Sequence, residues 1–137
     1  MHGDDMKKEI KVNYTSIFKY DDHHETVKFK SDGYYEKVDG KERFVFYNDK
    51  QKIEMVIRGN DLTLVNGPAI LNLSYHRKIA NQYYTEYGMI ELFCELVSLE
   101  NDRNVKLKYI LSDGYQQLSE VYVMMNYEFR EDSYEEF

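Results

Sequence analysis

The sequence predicts an all-β protein, a single antiparallel up-and-down meander that closes into a barrel of about 8–10 strands. Three observations support this fold class. The chain of 137 residues has fourteen tyrosines and seven phenylalanines but one proline, a composition that favours pleated sheets. Short runs alternate between apolar and polar residues, as half-buried strands do. Turn dipeptides, including three Asp-Gly pairs, separate the runs at the spacing typical of barrels.

The first half of the chain reads as a series of hairpins. Asp32-Gly33 and Asp39-Gly40 are the dipeptides that tight type I′ turns prefer, so we expect a turn at each. Asn66-Gly67-Pro68 marks a further strong turn. The predicted strands cover residues 8–18, 25–31, 34–38, 42–48, 51–58 and 62–65.

The second half contains the longest apolar run, and its phase changes at Gly88. The predicted strands there cover residues 69–76, 82–87, 89–99, 105–111 and 117–129. Before Gly88 the odd-numbered positions share one face, and after it the apolar residues move to even positions. A slip of one residue reverses every side chain of a strand. We therefore expect a bulge at Gly88 or a turn over residues 86–88 to absorb the slip.

A helix is the alternative for residues 89–99. Glu91, Glu95 and Ser98 are spaced at i, i+4 and i+7, and the remaining positions are apolar. By periodicity alone this pattern favours an amphipathic helix. The surrounding hairpins favour a strand, because a helix here would interrupt the meander.

Composition also limits the class of protein. We expect one domain over residues 8–130, with a flexible leader over 1–7 and an acidic tail over 131–137. The net charge of −7 and the scattered lysines argue against a nucleic-acid partner. The sequence has no apolar run long enough to span a membrane and a single cysteine, which together predict a cytoplasmic protein.

A family resemblance is carried by the region from Asn66 to Leu111. Its motifs are Asn66-Gly67, Tyr83-x-Thr85-x-Tyr87-Gly88, the alternating Ile90 and Leu92, and Val105-x-Leu107-x-Tyr109. With the hairpins before them, they resemble the YwiB-like family of uncharacterised bacterial proteins over nearly the whole chain. The resemblance implies a calycin, or lipocalin-like, barrel with a strand at residues 89–99, and implies no known activity. Asn66 stands where a basic residue is expected in such proteins.

No constellation of residues predicts catalysis or a metal site. The run 23–25, His-His-Glu, places neighbouring side chains on opposite faces of a strand, so they are poorly placed to share one ion. Cys94 lies in an apolar run, where burial raises the pKa of a thiol rather than activating it. Ser74 and Ser112 have no triad-like surroundings. An enzyme is therefore the least favoured class, and we expect no catalytic residue, metal or cofactor.

Tyrosines on the inward faces predict a ligand site. Because a buried tyrosine needs a partner for its hydroxyl, a ring of them can line a cavity that is apolar below and polar at its mouth. We expect a cavity of roughly a few hundred Å³ that holds a small amphipathic or aromatic molecule. A core filled by these same rings is the alternative. The predicted ligand-binding residues are Tyr75, Tyr83, Thr85, Tyr87 and Tyr109.

A second hypothesis is an interaction module. If residues 89–99 form a strand, its odd-numbered apolar positions face outwards, and exposed apolar rows usually meet a partner. A homodimer through this face is the simplest case. The predicted interface residues are Met89, Phe93, Val97 and Leu99.

Overall fold

The computed structural model describes residues 6–102 and 104–130, with the backbone alone for residues 84 and 85. Within these residues the chain forms ten antiparallel strands in one sheet, which confirms the predicted all-β meander. The strands are β1 Met6–Lys19, β2 His24–Val38, β3 Lys41–Asn48, β4 Gln51–Arg58, β5 Asp61–Asn66, β6 Ala69–Ser74, β7 Lys78–Thr85, β8 Gly88–Asn101, β9 Asn104–Ser112 and β10 Gln117–Phe129.

The sheet curls into a nearly closed barrel. Its strand order is β6-β5-β4-β3-β2-β1-β10-β9-β8-β7, so every neighbouring pair is consecutive in sequence except β1 and β10. The two end strands, β6 and β7, lie side by side without a backbone ladder in the described residues. The Asn81 side chain joins them instead. Its Oδ1 accepts from the Asn72 amide at 2.8 Å, and its Nδ2 donates to the Asn72 carbonyl at 3.0 Å.

The predicted turn at Asp32-Gly33 is wrong, because β2 runs through it as one strand. Gly33 lies opposite Ile10 in the β1–β2 ladder, and the β2–β3 ladder starts at the next residue, with Tyr34 opposite Val45. A Cβ on Gly33 would collide with the carbonyl oxygen of Val45. The glycine therefore serves the close approach of two backbones rather than a hairpin turn. Asp39-Gly40 does form the expected turn, with φ of 53° and 77°.

The apolar run after Gly88 is a strand, so the helical alternative is wrong. A two-residue turn at Glu86 and Tyr87 absorbs the predicted phase slip. A second irregularity occurs at Val97, where the register with β9 shifts between Leu96 and Ser98. After this bulge, the β8 side chains that would have pointed outwards point inwards, and the reverse. Leu99 is therefore half-buried against the core and not on the outer face, where it was expected.

The barrel interior is packed tightly at one end. Phe44, Met55 and Met125 are fully buried there. Below them the Tyr35 hydroxyl donates to one carboxylate oxygen of Glu42 at 2.6 Å, and Asn101 donates to the other at 2.6 Å. Because Glu42 lies on β3 and Asn101 on β8, these bonds tie distant strands together across this end, which we call the floor.

The opposite end, which we call the mouth, carries the turns at residues 20–23, 49–50, 67–68, 86–87 and 113–116. β1 starts two residues before the expected domain boundary at residue 8. The start of the predicted leader and the acidic tail at 131–137 lie outside the described residues. Among the described residues no helix is both long and apolar enough to cross a bilayer.

Candidate functional site

A cavity of about 110 Å³ lies inside the barrel near the mouth. It is smaller than the few hundred Å³ expected from the sequence. Strands from most of the barrel contribute to the cavity walls, because every second side chain of a strand points inwards. The lining residues that matter most below are Tyr14, Ser16, Phe29, Leu71, Tyr83 and Tyr109.

Tyr14 forms part of an aromatic wall. Its ring centroid lies 4.9 Å from that of Phe29 and 5.4 Å from that of Phe46, distances at which tilted rings attract one another. Burial raises the pKa of Tyr14 to about 12, and a hydrogen bond with the Ser16 side chain partly offsets this rise. Ser16 itself is 4% exposed. The wall therefore presents flat apolar rings beside two neutral hydroxyl groups.

Tyr109 is less exposed than the other two buried hydroxyl-bearing residues of the site, Tyr14 and Ser16. The side chain is 2% exposed, and burial raises its pKa well above the ordinary value, so the phenol stays neutral. No described residue hydrogen-bonds this hydroxyl, whereas every fully enclosed side-chain oxygen or nitrogen among the described residues has a partner. The Tyr109 hydroxyl must therefore reach open space. The cavity that Tyr109 lines is the space available to it.

The rim of the cavity is polar and partly open to solvent. Asn48 and Asn66 line it at the ends of β3 and β5 and are exposed. The Asn66 amide oxygen accepts a hydrogen bond from the Gln51 side chain, which fixes its orientation. Val27 also lines the rim and is 39% exposed. The site thus has mostly apolar walls that carry a few buried hydroxyls, and an opening flanked by two amide side chains.

The predicted ligand residues do not all meet here. Tyr83 and Tyr109 both line the cavity. Tyr75 lies near the floor, where its amide donates to the Asn60 carbonyl at 3.0 Å and its ring lies tilted against that of His76. Tyr87 is 92% exposed in the turn between β7 and β8, so its expected inward orientation is wrong. The side chain of Thr85 lies outside the described residues.

Sequence reasoning missed Tyr14 and Ser16 as lining residues. The signal was present, because both are in phase with Ile10 and Val12 on the inward face of β1. A small polar residue such as Ser16 on an otherwise apolar strand face indicates a buried polar position. For Phe29 the inward phase is harder to recognise, because most residues of its strand are exposed.

The predicted interface residues are placed unevenly along β8. Met89 is 52% exposed, whereas Phe93 and Val97 are half-buried. Phe93 lies against the turn between β9 and β10, where a Cβ on Gly114 would come within 3.3 Å of its ring. Ile90, expected to face inwards, is 47% exposed. The exposed apolar surface therefore centres on the tip of the β7–β8 hairpin.

Two other potentially reactive side chains, His23 and Cys94, contact neighbouring residues or are buried. His23 accepts or donates a 2.7 Å hydrogen bond with Asp22 and stacks on Tyr20. Cys94 is fully buried, and burial raises the pKa of its thiol to about 11. In the part of the chain that the structure describes, no three metal-binding side chains gather at one point.

The fold and cavity together define a class: an all-β, ten-stranded, nearly closed barrel with a small interior site near one end. Among solved structures the chain is similar to the crystal structure of the ywiB protein from Bacillus subtilis, with a TM-score of 0.71 and 15% identity over 88% of this chain and 92% of that one. At this identity the likeness shows the fold alone. No family model matches the sequence, and no curated protein matches it.

Proposed function

We propose that the barrel binds a small neutral aromatic molecule carrying one hydroxyl group in the cavity near its mouth. The observation that carries the proposal is the Tyr109 hydroxyl, which belongs to a buried residue lining a mostly apolar cavity and has no hydrogen bond from the described residues. A ligand hydroxyl would supply that bond. A ligand that fills the cavity must offer this hydroxyl a hydrogen bond, because enclosing it without a partner would cost free energy.

The size of the cavity selects the ligand class. An engineered apolar cavity of about 150 Å³ in another protein binds benzene, so a volume of about 110 Å³ suits one ring and no more. The Tyr14 and Phe29 rings line the cavity and provide aromatic contacts for the ligand ring. Lipocalin-like barrels hold ligands in this part of the fold, and the resemblance to calycins supports the same placement here. We also propose a cytoplasmic location, in keeping with the single buried cysteine.

The test uses 4-fluorophenol as the probe and fluorine NMR as the readout. We expect saturable binding to the wild-type protein. Tyr109→Phe keeps the ring and removes the hydroxyl, so it should weaken binding about fivefold, the factor for one hydrogen bond of about 1 kcal/mol. Tyr122→Phe is the matched control, because Tyr122 lies on the outer face beside Lys19 and Lys108. Absence of binding, or equal weakening by both variants, contradicts the proposal.

A second candidate function is self-association through the β7–β8 hairpin tip, the surface formed by Tyr87, Met89 and Ile90. These side chains are 92%, 52% and 47% exposed. β9 ends at Ser112, opposite Phe93, so the tip projects beyond its neighbouring strand. Met89→Glu should then shift a dimer to a monomer in sedimentation velocity without changing the circular dichroism spectrum. Lys106→Glu, on the outer face of β9, is the control. A wild-type monomer at high concentration contradicts this candidate.

A further inference from the structure

One weak wall of the barrel is the seam between β6 and β7, formed by Ala69–Ser74 and Lys78–Thr85, which has no ladder along its whole length in the described residues. The other neighbouring strands are joined by backbone ladders there, although the β2–β3 ladder covers only residues 34–38 and 41–45, on the floor side. At the floor end of the seam, one isolated bridge joins Ser74 to Arg77, and another joins Tyr75 to Leu96. Nearer the mouth, the two hydrogen bonds between Asn81 and the Asn72 backbone take the place of a ladder.

The Asn81 side chain is buried in the seam and held there by hydrogen bonds. It points inwards beside Leu92, is 4% exposed, and crosses to β6, where it acts as both acceptor and donor. It also donates to the Ile79 carbonyl at 3.3 Å, which helps to hold the amide in place. An amide side chain imitates a backbone peptide group here, since it offers one oxygen and one N–H to the facing strand.

The seam borders the candidate cavity. Ala69 and Leu71 on β6 and Tyr83 on β7 all line it, on either side of the gap between the two strands. Parting these strands would widen the cavity. Parting strands that are joined by a full ladder would cost several hydrogen bonds rather than two. Among the described residues, a second stretch without a ladder lies between β2 and β3 near the mouth, where the Tyr47 amide donates to Ser31 Oγ at 3.0 Å.

We propose that Asn81 is a specificity-determining residue that limits the cavity to ligands with a single ring. The inference rests on the proposed function of the cavity. A ligand with two fused rings exceeds the available volume and is admitted by separation of β6 and β7 on the mouth side of Asn81. That ligand must break the two hydrogen bonds to Asn72, whereas a single ring leaves them intact.

The experiment compares two probes, 4-fluorophenol and 6-fluoro-2-naphthol, by fluorine NMR titration. In the wild-type protein the phenol should bind more tightly. Asn81→Ala removes both seam bonds in advance, so the ratio of the two dissociation constants should shift towards the naphthol by roughly 30-fold, the factor for two ordinary hydrogen bonds. Asn72→Ala is the matched control. Among the described residues its exposed side chain bonds only Thr63, at 3.1 Å, and its backbone groups remain in the seam, so the ratio should stay unchanged.

A measurement on the wild-type protein keeps the test decisive if Asn81→Ala does not fold. Amide hydrogen exchange at Asn72 should be faster with the naphthol bound than with the phenol bound. Unchanged exchange, or an unchanged ratio in folded Asn81→Ala, overturns the seam inference while phenol binding leaves the proposed function standing. Failure of both probes to bind the wild-type protein removes the proposed function and the seam inference with it.

Discussion

Replacing Gly33 by alanine tests how β2 is built. The sequence predicts a hairpin turn at this position, whereas in the structure β2 continues through it and pairs with β3 from the next residue. An alanine Cβ would collide with the Val45 carbonyl oxygen, and it would lie 3.0 Å from the Cβ of Phe46 and 3.1 Å from the Val45 carbonyl carbon. Phe46 is fully buried, so neither neighbour can move without disturbing the core.

The expected cost of Gly33→Ala is about 3 kcal/mol of unfolding free energy or more. Overpacking a core costs about 1–3 kcal/mol when side chains can adjust, and here the closest atom belongs to the backbone. Gly40→Ala is the matched control. Gly40 has a φ of 77° and no atom within 4 Å of a built Cβ. Its substitution should therefore cost only the left-handed conformation, about 1 kcal/mol.

Urea unfolding followed by circular dichroism measures both variants, since the chain has no tryptophan to report by fluorescence. We expect the midpoint of Gly33→Ala to fall well below that of Gly40→Ala with a similar urea dependence. Equal midpoints would mean that Gly33 occupies an ordinary turn. That result would refute the continuous bend of β2 and the register of β3 that depends on it.

Two further perturbations report on the core and the floor. Burial raises the pKa of Cys94 from 9.0 to about 11 and that of Tyr14 from 10.0 to about 12, so the unfolded chain loses these protons first. The contribution of these two groups to the free energy of unfolding should therefore be steady from pH 7 to 9 and decrease from pH 9 to about 12, and Cys94→Ala should flatten the part between pH 9 and about 11 in urea titrations. A stability that rises over this range would show that the two groups are not buried. Tyr35→Phe removes the hydrogen bond to Glu42 and should lower stability by about 1.5 kcal/mol, whereas an unchanged urea midpoint would show that this bond does not hold the floor.

Much of the fold follows from local patterns. The last strand, β10, has the predicted bounds because its apolar residues alternate without interruption from Val121 to Phe129. Asp39-Gly40 forms its turn because both residues tolerate positive φ. Gly33 has the same local signal and a different role. Only the approach of β3, a contact between residues distant along the chain, decides between a turn and a bend.

The site was less predictable for a similar reason. Alternation places Tyr83 and Tyr109 on inward faces, and both line the cavity. It does not give the height of a residue along the barrel axis, so Tyr75 was grouped with them although it lies near the floor. The orientation of Leu99 depends on the bulge at Val97, which no glycine or proline marks in the sequence. Closure of the barrel by Asn81 likewise depends on strands that meet only in three dimensions.

The most direct test of the central claim is to locate bound 4-fluorophenol by nuclear Overhauser effects to assigned methyl groups. The account predicts contacts from the phenol ring to Leu71 and Val123, which line the cavity on opposite sides of the barrel. Contacts confined to Met89 and Ile90 at the hairpin tip, or no contacts at saturating phenol, would contradict it.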